Sequence, residues 1–206
     1  MGDFIRRAPQ FSLEMFHAFR DERPKEEKWE LIDGVPMMMP PPTLTHQRIC
    51  KNLESLLDNH LRVVNPAWMA DREIGILLPH DKKFNPEPDV TVIDTDIGVG
   101  QIYAERFYFV AEVLSDSNRP ELVAGSDKPI VLAAKLAYYR EHALCQAVLF
   151  VRQDCIEATL YARPQHFEPR ILKNPADRLD IPGIGDIGSL VQLYRHTPLW
   201  PVQSGA

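Results

Sequence analysis

The chain has 206 residues, 45% hydrophobic and 25% charged, with a formal net charge of -6. That length holds one well-buried core and is short for two, and the composition is that of an ordinary globular protein. The acidic balance excludes a binder relying on a strongly basic surface to neutralise phosphates, although a bound metal ion would add positive charge that the count omits.

No stretch has the apolar length needed to cross a bilayer. The opening MGDFIRRAPQ has no apolar h-region, so it does not read as a signal peptide. It begins Met-Gly, but Arg6 stands where a myristoylation signal needs Ser or Thr. Cys50, Cys145 and Cys155 form no CxxC pair and are odd in number. That fits a reducing, cytoplasmic setting, argues against a cysteine zinc site, and makes all three expected core residues.

Ser12 is placed to cap a short helix through residue 19. Residues 29–32, Asp33-Gly34 and residues 35–39 read as a hairpin, because Asp-Gly supplies the turn. After Pro40-Pro41-Pro42, Thr43 or Thr45 caps a helix whose apolar stripe is Ile49, Leu53, Leu56, Leu57 and Leu61. Strand-like runs follow at 67–78, 89–94 and 106–114. A helix is expected over 129–141, with Pro129 in its first turn. Strands at 146–152 and 156–162 come next, then a helix over 187–194 capped by Asp186. Residues 103–106 and 121–128 carry no clear pattern. The order predicts an α/β (α+β) domain over 1–206, with its core at about 12–195 and one mixed sheet flanked by helices.

Three residues break the apolar pattern. Glu112 lies inside Phe107-Tyr108-Phe109-Val110-Ala111-Glu112-Val113-Leu114, a run apolar enough to be buried on both faces. A carboxylate there is costly unless paired or metal-bound; its bland reading is a structural ion pair. Asp89 opens the preceding run after Pro88, where turn chemistry alone accounts for an Asp. If the two runs form an antiparallel pair with Ile93 opposite Tyr108, Asp89 lies opposite Glu112 on one side of the sheet, with directly opposed Cβ atoms about 5 Å apart. Carboxylates that close call for a cation, and oxygen ligands suit Mg²⁺. Lys135 has Val131, Leu132, Tyr138 and Tyr139 as helical neighbours, so it points inward or snorkels out. Glu30 follows a charged stretch from Lys25 to Lys28, where a solvated face is the plain expectation. His46, near a helix start, is a weak candidate, more often a capping or surface residue than a ligand.

Trp29-Glu30-Leu31-Ile32-Asp33-Gly34, Pro40-Pro41-Pro42-Thr43 with His46-Gln47-Arg48-Ile49, Pro88-Asp89-Val90, Ala111-Glu112-Val113-Leu114-Ser115 and Lys135-Leu136-Ala137-Tyr138-Tyr139 occur together in order. So ordered, they resemble the Uma-two family, a bacterial group described as restriction endonucleases within the PD-(D/E)XK nuclease superfamily. The tail from Ile181-Pro182-Gly183 to Ser189-Leu190 is similar too. The resemblance implies a restriction-endonuclease-like fold and a Mg²⁺- or Mn²⁺-dependent site. In it Asp89 matches the Asp of the PD motif, Glu112 the acid of the next strand, Glu30 an acid from the first hairpin, and Lys135 a lysine carried on the following helix. The superfamily's usual lysine position, two residues past the acid, is Leu114 here. The family's aromatic strand ending in Asp is replaced by Ala147-Val148-Leu149-Phe150-Val151-Arg152, and the segment between Ser115 and Lys135, with Gly125 and Pro129, departs from the pattern.

The mechanism so implied is metal-assisted phosphodiester hydrolysis. Asp89, Glu112 and Glu30 hold the metal, and Lys135 orients water or stabilises phosphoryl charge. A pKa lowered by burial and the cation would also let Lys135 act as a base. The expected partner is nucleic acid, DNA above all, without a membrane and with a homodimer open. The rivals are a catalytically silent nucleic-acid-binding or regulatory protein, a two-carboxylate glycosidase, which needs neither metal nor lysine, and a structural protein with an ion-paired Glu112.

Overall fold

A computed structural model describes residues 10–114 and 128–200. The opening Met1–Arg6 peptide, Ser115 and Gly125 lie outside the described residues. Helix α1 (Leu13–Asp21) begins at its expected cap, with the Ser12 side chain accepting from the Met15 amide at 3.2 Å. Strands β1 (Lys28–Ile32) and β2 (Val35–Met39) form the predicted hairpin. Its turn residues Asp33 and Gly34 both have positive φ, 47° and 76°, as the tight Asp-Gly turn requires. Helix α2 (Leu44–Val64) is capped by Thr43, whose hydroxyl accepts from the His46 amide at 3.1 Å. Its buried face includes Ile49, Leu53, Leu57 and Leu61, each contributing roughly 1.5–3 kcal/mol by leaving water.

The run at 67–78 is not one strand. It divides into β3 (Trp68–Asp71) and β4 (Gly75–Ile76), and the latter pairs in parallel with β6 (Tyr103–Ala104). Glu73 between them has φ 55°, which breaks the extended backbone. Next come β5 (Val90–Asp94), β7 (Phe107–Leu114), helix α3 (Lys128–Glu141), β8 (Ala147–Arg152), β9 (Ala158–Ala162) and β10 (Pro169–Leu172). Six strands form one mixed sheet in the order β10-β9-β8-β7-β5-β3. Strands β7 and β8 are parallel, and every other neighbouring pair is antiparallel. A parallel pair needs a crossover, and α3 lies in it.

The end of the chain differs from expectation. Residues expected to be helical from 187 form β12 (Gly185–Ser189), paired with β11 (Arg178–Ile181). Only Leu190–Leu193 is helical (α4), and its cap is Ser189, not Asp186. Gly185 and Gly188 sit at φ 116° and 140°, outside any right-handed helix. Asp186 instead meets Arg178 at 2.7 Å across the hairpin.

Two apolar layers sandwich the sheet. Helix α2, α4 and the β11–β12 hairpin cover one face with Phe109, Ala111 and Val113 beneath them. Tyr138 and Tyr139 of α3 cover the other, over Val110, Val148 and Phe150. Strand alternation therefore sends Glu112 toward α3. The β5–β7 register pairs Val90 with Ala111 and Val92 with Phe109, which carries forward to Asp89 beside Glu112. The expected Ile93–Tyr108 pair is absent: the register shifts after Val92, and Ile93 faces Phe107. Such an irregularity changes pairing locally without altering the far end of the ladder.

Candidate active site

Glu30 comes from β1, which docks on the extended segment before β5. Asn85 exchanges backbone hydrogen bonds with Leu31, its amide donating at 2.8 Å and its carbonyl accepting at 3.4 Å. Pro86 and Pro88 lack amide protons, so Glu87 is the donor between them, and its N–H reaches Glu30 Oε1 at 3.1 Å. Glu30 is 2% exposed. The solvated face expected from Lys25–Lys28 is thus wrong for this residue, because the hairpin presses that side of β1 onto residues 85–89. Its other oxygen, Oε2, lies 2.7 Å from Lys135 Nζ and pairs with that ammonium.

Lys135 points inward and is 5% exposed. Its ammonium donates to Glu112 Oε1 at 3.0 Å and Oε2 at 3.2 Å while meeting Glu30. One turn along α3, Tyr139 donates to Glu112 Oε1 at 2.5 Å. Asp89 precedes β5 and accepts from the Val113 amide at 2.7 Å, next to Glu112 in sequence. His46 Nε2 donates to the same Asp89 oxygen at 3.2 Å. His46 is buried, against the capping or surface role expected for it. Its Nδ1 lies 3.5 Å from Cys50 Sγ, one turn further on α2. Glu30, Asp89, Glu112, Lys135 and His46 line one cleft of about 420 Å³, walled on its apolar side by Met37–Met39 and Pro40–Pro42.

The charges are unequal, with a single ammonium between two buried carboxylates. Burial alone lowers Lys135, but Glu112 and Glu30 outweigh it and hold it above its ordinary range. With these two carboxylates beside it, the group is a charged donor. Burial pushes Glu112 upward, Lys135 pulls it back, and Glu30 and Asp89 push it further up. Asp89 goes the other way. Burial raises it, but the His46 ring and the Val113 N–H more than compensate, leaving it below the ordinary carboxylate range. Burial raises Tyr139 well above the ordinary phenol, so it remains a donor.

Residues 13–188 match the profile of the Uma2 family, described as "Putative restriction endonuclease". The chain belongs to the Uma2 family. The crystal structure of "a putative nuclease belonging to DUF820" from Anabaena variabilis has the same fold as this Uma2 chain, with a TM-score of 0.68 at 17% identity. The likeness spans 89% of this chain and 97% of that one. No curated protein matches. The mixed α/β architecture of this Uma2 member is accordingly that of a nuclease-like fold.

Two residues at this candidate site had no role in the sequence analysis. Tyr139 counted there only as an aromatic neighbour of Lys135, although its i+4 spacing placed it on the same face. Glu87 sits between two prolines like a loop residue. It lines the cleft, lies 3.9 Å from both Arg20 and Lys28, and is raised by burial despite them.

Proposed function

We propose that this Uma2 member is a divalent-metal-dependent endonuclease hydrolysing nucleic-acid phosphodiester bonds, with DNA as its substrate and a single domain as its working unit. One observation carries the reading. Glu30, Asp89 and Glu112 gather around Lys135 at a cleft whose volume falls in the usual range for ligand sites. Membership of a family described as "Putative restriction endonuclease" supports the same chemistry.

The donor set fits Mg²⁺ or Mn²⁺. It offers carboxylate oxygens from three residues against one ammonium, which already pairs with both Glu30 and Glu112. Hard cations of this class take oxygen ligands and retain waters. Asp89 and Glu112 would hold the ion, with Glu30 as a further ligand. When bound, such an ion supplies Lewis acidity toward a phosphoryl oxygen and an acidified water.

The chain's own residues do the rest. Lys135, kept charged by its two carboxylates, stabilises negative charge on the phosphoryl group. Tyr139 fixes the Glu112 carboxylate by donating to Oε1. His46 and the Val113 amide fix Asp89 through one shared oxygen. Glycosidase chemistry gains no support from an ammonium lodged between the acids.

The test is cleavage of plasmid DNA, linear DNA and RNA by purified protein with Mg²⁺, with Mn²⁺ and with EDTA. Cation-dependent cleavage that Glu112→Gln abolishes is expected. Equal activity in wild type and variant would identify a contaminant and reject the assignment. Tight cation binding with no cleavage of any substrate would move the proposal to a binding or regulatory role.

A further inference from the structure

His46 and Cys50 stand four residues apart on α2 and project from one face, a spacing that lets two side chains share an ion. Asp89 comes to the same point from the start of β5. One atom each from His46, Cys50 and Asp89 lie within 4.8 Å of one another. The His46 Nδ1 to Cys50 Sγ separation is 3.5 Å. That equals the edge of a tetrahedron with Zn–S of about 2.3 Å and Zn–N of about 2.0–2.1 Å, about 3.5 Å. His46 and Cys50 are buried, while Asp89 keeps 13% of its side chain exposed and lines the cleft with His46. An ion held here has a path from solvent through the cleft that His46 and Asp89 line.

We propose that His46, Cys50 and Asp89 form a second metal site, selective for a borderline-soft divalent ion of the Zn²⁺ class. The ligand types decide the class. A thiolate, an imidazole and a carboxylate suit Zn²⁺, whereas Mg²⁺ takes oxygen ligands and does not recruit sulfur. The 4.8 Å limit exceeds a tetrahedral edge by about 1.3 Å, so binding draws the three side chains inward. His46 then commits one ring nitrogen to the ion and gives up one of its two present contacts. Cys50 loses its proton to solvent as the metal–sulfur bond forms. The lack of a CxxC pair excludes an all-cysteine site, but not one in which a single cysteine works with a histidine one turn away. Asp89 also belongs to the oxygen cluster, so Zn²⁺ here excludes a hard ion from that oxygen. This last consequence rests on the nuclease reading, whereas the site itself does not.

Co²⁺ reports directly on sulfur ligation. Titrating metal-free protein with Co²⁺ should produce a thiolate-to-cobalt charge-transfer band at one equivalent. Zn²⁺ should bleach it, and a large excess of Mg²⁺ should not. Cys50→Ser should abolish the band and weaken Zn²⁺ by more than the roughly 10–100-fold that losing an outer-shell partner costs. Cys155→Ser, with Cys50 intact, should keep the band. If Cys50→Ser does not fold, His46→Gln serves instead, since it retains a donor toward Asp89 and should also lose the band. Absence of the band in folded wild type, or its loss in Cys155→Ser with Cys50 present, overturns the proposal. Cleavage without the band would refute this site and leave the nuclease reading standing; the band with Co²⁺, alongside no cleavage when the protein carries Mg²⁺ or Mn²⁺ alone, would do the reverse.

Discussion

Lys135→Met removes the ammonium and keeps most of the side-chain volume. In wild type that ammonium lies 2.7 Å from Glu30 Oε2 and 3.0 Å from Glu112 Oε1. At an effective dielectric of 20 these two contacts are worth roughly 6 and 5.5 kcal/mol of Coulomb energy. Desolvation of the three charges offsets most of that. What remains on deleting one partner is the cost of uncompensated buried charge, about 3–5 kcal/mol. Lys135 is 6% exposed at its side chain, so solvent screening gives little relief. For a chain of this length the loss corresponds to a fall in Tm of roughly 6–20 °C. Urea unfolding and calorimetry of metal-free protein measure it, with Lys51→Met on the exposed side of α2 as the control, expected within about 0.5 kcal/mol of wild type. A double-mutant cycle with Glu30→Gln should return a coupling above about 1 kcal/mol. A Lys135→Met cost below about 1 kcal/mol, or no coupling to Glu30, would refute the picture of a lysine holding the two acids together.

Two further expectations concern the packing that positions the site. Tyr138→Phe leaves the buried Leu78 amide, now 2.8 Å from the phenol oxygen, without an acceptor. The loss should be about 1–3 kcal/mol, read by urea unfolding, and an unchanged midpoint would contradict the assignment of that bond. Burial lowers His142 below the ordinary imidazole value of 6.5, against its hydrogen bond to the Glu105 carbonyl. Because the unfolded chain then takes the proton more readily, this group's contribution is full above pH 6.5 and is lost as pH falls through and below it. NMR titration of the His142 ring should give a midpoint below 6.5, and a midpoint at or above that value would reverse the sign.

The pairing of Asp89 with Glu112 was legible because it follows from two adjacent runs and a two-residue side-chain period. The break in that register at Ile93 was not, since nothing local distinguishes Tyr108 from Phe107 as the residue to be skipped. Lys135 was legible as inward-facing from its apolar helical neighbours. Its raised pKa was not, because that depends on two carboxylates drawn from β1 and β7. The burial of Glu30 was not legible for the same reason: its neighbours in sequence are charged, and its burial comes from residues 85–89. The β11–β12 hairpin escaped because its glycines, read along a helix, are tolerated breaks. Their positive φ values become decisive only once the two strands are paired.

The central claim is that Asp89 and Glu112 hold one divalent cation beside Lys135. Crystals soaked in Mn²⁺, with anomalous diffraction recorded, test it most directly. A single strong peak is expected within about 2–2.5 Å of one carboxylate oxygen from each of Asp89 and Glu112, lost in Asp89→Asn. No peak at the cluster, or a peak bound only by His46 and Cys50, would contradict it.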